Sequence, residues 1–524
     1  MKDFYDQNRQ LIVACLLAVI GLAGLWLRLK GINTYSLAND EPGFAYLAAR
    51  PDLASHYWLG RNLSGYIEHP FLFLWLTHMS MKLFGSSLLA IRLPFILSGV
   101  ACIPLVFFAG RRIGGERLGL WTAFLAAMNF YMAGMSQVVY TYAWWLFCPS
   151  LIIMVALWVN EKLSWRRLAV LMILVPVCLE TAYPSLFPLA GAALLLLRNF
   201  WQPGPGRRGR LIKLAAYLAV LLVSTYLLRA FIAWRTNPVQ DATTSYYHSM
   251  GYYITDGPLR GFLTSLPGHI ESLLGNMLPF FGQGHMNAFF VGLTLLVALI
   301  GLSGLINSAK GRPFVWLLIG TLLAGAGSIA LGQWSILWRH STYLTPFYLL
   351  LVASGIVTTG RWLIEKRLYP ALIFGLLVLA LLPVRAAVKD PFPYAEDGLM
   401  PFLKVIAAEA RTNDIVYLDP HSSESFLVIF HNDNQDLRAA YEKPRRQKEL
   451  VEAVIAGRPL KLMLGGGNLK PILEADPDRL WALLGHTDKE MSSLPALLQA
   501  DFKKIKTGPL APGSKAFWGL YETK

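Results

Sequence analysis

Nine apolar runs, each close to twenty residues long, recur at about 11–29, 93–110, 118–134, 143–159, 211–231, 288–306, 313–332, 342–360 and 370–387. A helix needs roughly 17–25 mostly apolar residues to cross the hydrocarbon layer. The chain is therefore expected to be a polytopic α-helical membrane protein. The composition agrees: 55% of the residues are hydrophobic and 15% charged, against roughly 25% charged in a soluble domain. The first run lacks a small-residue cleavage site and is followed by further runs, so it reads as a retained span rather than a signal peptide.

The stretch 168–198 is also apolar but is interrupted by "ETAYPS". It reads as one long span or two short ones, and charge decides between them. With two spans turning at Tyr183-Pro184, the loops "RRIGGER", "NEKLSWRR", "RNFWQPGPGRRGRLIK", "NSAKGRP" and "RWLIEKR" fall on one side and hold 16 Lys and Arg. The short loops near 135–142, 180–185 and 333–341 fall on the other side and hold only Arg339. Cytoplasmic loops carry the Lys/Arg excess, which favours about eleven spans and a cytoplasmic N-terminus. The loops 30–92 and 232–287 and everything after 387 are then external. This assignment accounts for the net charge of +15 as orientation, so no nucleic-acid partner is expected.

Residues 388–524 change in character. "DIVYLDP" reads as a strand, "SFLVIF" as a strand or buried run and "LKLMLGGG" as a strand and turn. "RQKELVEAVIAG" and "DPDRLWALLG" read as helices. The expectation is a soluble α/β or α+β domain outside the membrane, following a membrane domain over 1–387. "GGGNLK" lacks the spacing of a phosphate loop and reads as a turn. Cys15, Cys102, Cys148 and Cys178 all lie in apolar runs and read as small buried side chains, not as metal or redox pairs.

The chemistry is concentrated in the first external loop. "NDEPGFAY" places Asp40 and Glu41 just past the first span, and "GRNLSGYIEHPFLFLWLTHMSMKLFGSSLLAIRLPF" adds Arg61, Glu68, His69, Lys82 and Arg92. The piece 70–84 reads as an aromatic, partly amphipathic helix lying in the interface. Charges beside a bilayer are costly unless solvated, paired or used. Sugar transfer from a polyprenyl phosphate would use them. A carboxylate takes the proton of a poorly nucleophilic hydroxyl, and cations stabilise the phosphate that leaves. One base suffices for a single inverting displacement, because a phosphate leaving group needs no acid, unlike the leaving oxygen of a glycoside.

"NDEPGFAYLA" resembles the Asp-Glu motif in the first external loop of GT-C glycosyltransferases, the group of protein O-mannosyltransferases and lipid A aminoarabinose transferases. "IEHPFLFLWLTHMSMKLFGSSLLAIRLPFILSG" resembles their second signature: His-Pro or Lys-Pro, an apolar run ending in Phe-Gly, then Arg-Leu-Pro. "WRHSTYLTPFYLLL" resembles their late motif. The likeness is one of order, spacing and topology over about 8–390. It implies a GT-C membrane domain using a polyprenyl-phosphate sugar donor and a glycan, lipid or protein acceptor at the outer face of the cytoplasmic (inner) membrane. It also implies roles: Asp40 as catalytic base, Glu41 as its acidic neighbour, and His69, Arg92, Arg339 and His340 at the donor phosphate. Arg61, Glu68, Tyr142 and Tyr343 are the candidate substrate contacts. Some relatives carry a further Asp in the second external loop. Here that loop reads "GMSQVVYTYAWWLF", without an acid, so the identity of sugar and acceptor does not carry over.

Plainer readings compete at each position. Asp40 and Glu41 also suit a helix N-terminus, and Arg92 suits a span end from which it snorkels. In the loop 232–287, Tyr246, Tyr247, Tyr252 and Tyr253 suit an aromatic belt better than sugar stacking. Asp241, Asp256 and Glu271 offer further acids with nothing to tie them to the site. Asp40 and Glu41 offer oxygen ligands for a divalent metal but show no fixed cage, so a divalent metal stays open as the lesser alternative and no other cofactor is implied. Two other functions compete. A lipid-linked sugar flippase calls for mid-span charge and internal repeats, neither of which is prominent. A non-catalytic scaffold for envelope assembly predicts that Asp40→Asn is silent.

Overall fold

The structure is a computed structural model. It describes residues 2–32, 41–50, 53–54, 57, 70–85, 87–202, 206–235, 285–330, 338–371, 375, 409, 414–418, 460–464, 479–484, 502–509 and 517–523. The long first helix α1 (Lys2–Leu29) is followed by the short α2 (Glu41–Ala49) and by α3 (Phe71–Phe84), the helix expected over 70–84. Then come α4 (Leu88–Gly114), α5 (Glu116–Met128), α6 (Phe130–Met135), α7 (Tyr142–Glu161), α8 (Trp165–Leu179) and α9 (Leu186–Trp201). The bundle continues with α10 (Arg207–Arg235), α11 (His285–Asn307), α12 (Arg312–Ala330) and α13 (Thr345–Glu365). Among the described residues, six helices are long and apolar enough to cross a membrane. The chain is a multi-pass membrane protein.

Local chemistry sets the boundaries. The Ser87 hydroxyl accepts from the Ala90 N–H to start α4, and Ser164 does the same for Arg167 at α8, each satisfying an otherwise orphaned donor. Asn129 splits the 118–134 run, because its side chain accepts from the Met132 N–H at 2.9 Å and restarts the chain as α6. The stretch 168–198 is two helices, α8 and α9, joined by a 3-10 turn at Tyr183–Ser185, as the charge asymmetry requires. Close approach needs small residues where helices cross. A Cβ on Gly301 of α11 would overlap the Leu351 carbonyl oxygen, and one on Gly355 of α13 would overlap that of Val297.

The connections sort to two ends. At one end Arg9 donates to Glu116 at 2.6 Å, Arg112 pairs with Glu161, and Lys213 donates to the Leu163 carbonyl at 2.7 Å. The basic loops thus meet one another and the start of α1. At the other end the Leu72 N–H donates to the Glu180 carbonyl at 3.0 Å, Tyr131 bonds Thr342, and Val139 meets Glu41. The loops low in Lys and Arg share that end with the first long loop.

Five strands are described in the C-terminal region: β1 (Asp414–Leu418), β2 (Leu460–Leu464), β3 (Arg479–Leu484), β4 (Phe502–Pro509) and β5 (Phe517–Thr523), in the order β2-β1-β3-β5-β4. β1 is parallel to β2 and β3, while β5 is antiparallel to β3 and β4. The strands expected in "DIVYLDP" and "LKLMLGGG" are β1 and β2. The helix expected in "DPDRLWALLG" is corrected: its core is β3. A short apolar run has no decisive period, and pairing on both edges wins. Buried Asp414 accepts from Trp481 Nε1 at 2.7 Å and pairs with Arg479 at 3.6 Å, which locks β3 to β1. "SFLVIF" and "RQKELVEAVIAG" lie outside the described residues.

Candidate active site

Glu41 opens α2, where an acid favours the positive end of the helix, yet it is 1% exposed. Its Oε1 accepts from the Val139 N–H at 2.7 Å, and its Oε2 accepts from Arg92 Nη2 at 3.4 Å. Arg92, near the start of α4, has no exposure, and its Nη1 donates to the Ile32 carbonyl at 2.8 Å. A buried ion pair tolerates desolvation only when further hydrogen bonds satisfy its members. Here Ile32 and Val139 supply them. The pair therefore ties together four pieces of chain: the exit of α1, α2, α4 and the turn after α6.

That turn, 136–141, is the segment that the sequence reading takes as the second external loop. Its buried Gln137 donates from Nε2 to the carbonyls of Arg28 at 3.0 Å and Lys30 at 2.7 Å. Arg28, also fully buried, donates to the carbonyls of Gly24 at 2.9 Å and Ala126 at 3.2 Å. A Cβ on Gly99 of α4 would overlap Ser136 Oγ and fall 2.9 Å from Arg28 Nε, so only glycine lets α4 reach this turn. Aromatic rings run on from there. Phe44 meets Tyr140 at 5.1 Å, Tyr140 stacks on Tyr142 at 4.4 Å, Tyr142 meets Trp145 at 5.2 Å, and Trp145 meets His340 at 5.6 Å. This row connects the first loop to the late motif.

Helix α3 is docked along its length. Pro94 has no N–H, so the Ala90 carbonyl lacks its helical donor. Ser80 Oγ of α3 donates to that carbonyl at 2.6 Å. His78 Nδ1 lies 2.7 Å from the Ala48 carbonyl and donates in its Nδ1–H tautomer. At the start of α3, the Glu180 carboxylate accepts from the Phe71 N–H, and the Glu180 carbonyl accepts from Leu72. Glu180 thereby caps the helix that follows "EHP". Burial raises its pKa above the usual carboxyl value of 4.5, and the Phe71 bond lowers it in part. The folded protein then holds a proton that the unfolded chain releases, so stability falls as pH rises from 4.5 to the raised value and levels above it. Glu180→Gln, which keeps an acceptor for Phe71, is expected to remove that slope in thermal unfolding measured against pH.

Of the residues singled out in the sequence, the structure brings Glu41 and Arg92 into contact and places Tyr142 and His340 in one aromatic row. Arg92 is turned inward to Glu41 rather than outward. The late-motif Tyr343 is buried, with its ring 4.9 Å from that of Phe187. Asp40, Arg61, Glu68 and His69 lie outside the described residues, as do the tyrosines and acids of 236–284 and the side chain of Arg339. Among the described residues no group of three His, Cys, Asp or Glu side chains is placed to hold a metal. Sequence reasoning missed Glu180, Ser80, His78 and the Val139 amide. The pairing of an in-helix proline with a hydroxyl one helix earlier was a usable signal for Ser80. A backbone amide leaves none.

Residues 68–234 match the sequence model of the dolichyl-phosphate-mannose-protein mannosyltransferase family. That segment includes the His-Pro and Arg-Leu-Pro signatures and the second loop. The fold matches the oligosaccharyltransferase of Archaeoglobus fulgidus, crystallised with zinc and sulfate, over 92% of this chain and 69% of that one, with a TM-score of 0.50 at 13% identity. The chain carries the GT-C fold of membrane glycosyltransferases. Other GT-C structures matched include ArnT from Cupriavidus metallidurans bound to undecaprenyl phosphate, at 14% identity and a TM-score of 0.39 over 97% of both chains. AglB from Archaeoglobus fulgidus with an inhibitory peptide and a dolichol-phosphate matches at 13% identity and a TM-score of 0.43, over 99% of this chain and 75% of that one. No curated protein sequence matches significantly. The Glu41–Arg92 pair joins the stretch "NDEPGFAY" to the stretch "RLPF".

Proposed function

We propose that the chain is an inverting glycosyltransferase that moves a sugar from a polyprenyl phosphate to a hydroxyl of an envelope glycan, lipid or protein. The reaction takes place at the outer face of the cytoplasmic membrane, and residues 388–524 form an external domain. The observation that carries the reading is the buried Glu41–Arg92 pair. It fixes the chain one peptide bond from Asp40, at the end of the bundle opposite the basic loops. The family matched over 68–234 is described by a polyprenyl-phosphate sugar donor, which supports the donor class. Positive-inside orientation puts the site outside, where nucleotide sugars are absent.

Asp40 takes the proton of the acceptor hydroxyl as its oxygen attacks the anomeric carbon. The bond from that carbon to the phosphate oxygen breaks, and the electron pair leaves on the phosphate. His69, Arg339 and His340 stabilise that charge. Arg61, Glu68 and Tyr142 contact the substrates. Arg92 acts through Glu41 as a positioning residue, because its guanidinium is wholly buried against Glu41 and the Ile32 carbonyl. The test is a panel of polyprenyl-phosphate sugars offered to the purified protein with an envelope extract. Release of polyprenyl phosphate from one donor, dependent on the extract, supports the reading. Absence of release from every donor with a complete extract contradicts it.

A further inference from the structure

The end of the bundle opposite Glu41 holds a cavity of about 720 Å³. Arg92 and Arg112 lie at opposite ends of α4, about 30 Å apart at 1.5 Å per residue, roughly one hydrocarbon thickness. The cavity therefore belongs to the other membrane face and to none of the chemistry above. Arg111, Arg112 and Lys310 line it, with Glu161 as the one acid. Glu161 pairs with Arg112 and, at 3.6 Å, with Arg167, while Arg111 pairs with Glu116 at 3.6 Å. The two arginines are thus held in place, and the lining, with three cations to one acid, keeps a positive excess. The apolar part of the wall includes Phe108, 42% exposed, buried Leu157, Ala309 and Pro313.

We propose that this cavity binds the phosphate headgroup of an anionic phospholipid of the inner leaflet. Orientation alone would spread cations along separate loops. Here cations from the last turn of α4 (Arg111 and Arg112) and from the turn between α11 and α12 (Lys310) converge on one concave space with an apolar flank. Basic cavities between spans on the cytoplasmic side suit anionic headgroups, and the flank suits the start of an acyl chain. A free phosphate shares the charge but gains nothing from Phe108.

The test is native mass spectrometry of the full-length protein in non-ionic detergent, titrated with phosphatidylglycerol, phosphatidylcholine or inorganic phosphate. Phosphatidylglycerol is expected to bind at least tenfold more tightly than either of the others. Ala309→Trp, which fills the cavity without changing its charge, and the double variant Arg111→Gln/Lys310→Gln are each expected to weaken it at least fivefold. Equal binding of the two lipids by the unaltered protein would overturn the proposal. So would inorganic phosphate binding as tightly as phosphatidylglycerol, or phosphatidylglycerol binding that neither variant changes.

Discussion

Asp40→Asn is expected to lower the rate of sugar transfer by about 10²–10⁴-fold, the contribution of a positioned general base. Asparagine keeps the size of the side chain and removes its ability to take the acceptor proton. The expected split is a loss in kcat with the donor KM little changed, since the groups proposed to hold the phosphate are others. Glu41 next door cannot substitute, because both its oxygens already accept from Val139 and Arg92. The thermal unfolding midpoint should stay within a degree or two of the unaltered protein. Rates that are equal in both proteins would remove Asp40 as the base.

Arg92→Met is expected to destabilise the fold by about 3–5 kcal/mol, because it leaves the Glu41 carboxylate buried without its cation. Thermal unfolding of the detergent-solubilised protein measures this. Pairing the change with Glu41→Gln should recover part of the loss, since the neutral amide needs no counter-charge and its oxygen still serves the Val139 N–H. Arg92→Lys should not restore the native value. The two described contacts, to Ile32 and to Glu41, come from two nitrogens of one planar fork, and an ammonium does not reproduce that geometry. Single variants that are no less stable than the unaltered protein would show that the pair contributes little.

Much of this was open to sequence reasoning where one residue type meets one physical demand. Apolar length marked the helices, and the charge of the connecting loops separated α8 from α9. Acids beside a span end marked Glu41, and a cation at the start of a span marked Arg92. Their partnership was not legible. They lie 51 positions apart, and each has an ordinary explanation alone, as helix-end acid and as snorkelling cation. Gln137 was legible only as a missing acid. Its task of tying down the carbonyls of Arg28 and Lys30 depends on how tightly the turn packs on α1. Glu180 read as an interruption in an apolar stretch because its partner, the Phe71 N–H, belongs to the backbone of a distant helix. In the C-terminal region "RLWALL" carried no period, so its neighbours in the sheet decided it, not its own residues.

The most direct measurement places the purified protein in sealed vesicles with a labelled polyprenyl-phosphate sugar and its acceptor, and follows both the label and free polyprenyl phosphate. The expected result is label on the acceptor with one polyprenyl phosphate released per sugar, on the face that carries the Asp40 loop. Movement of the intact lipid-linked sugar between leaflets, with no polyprenyl phosphate released, would contradict the transferase and identify a flippase in its place.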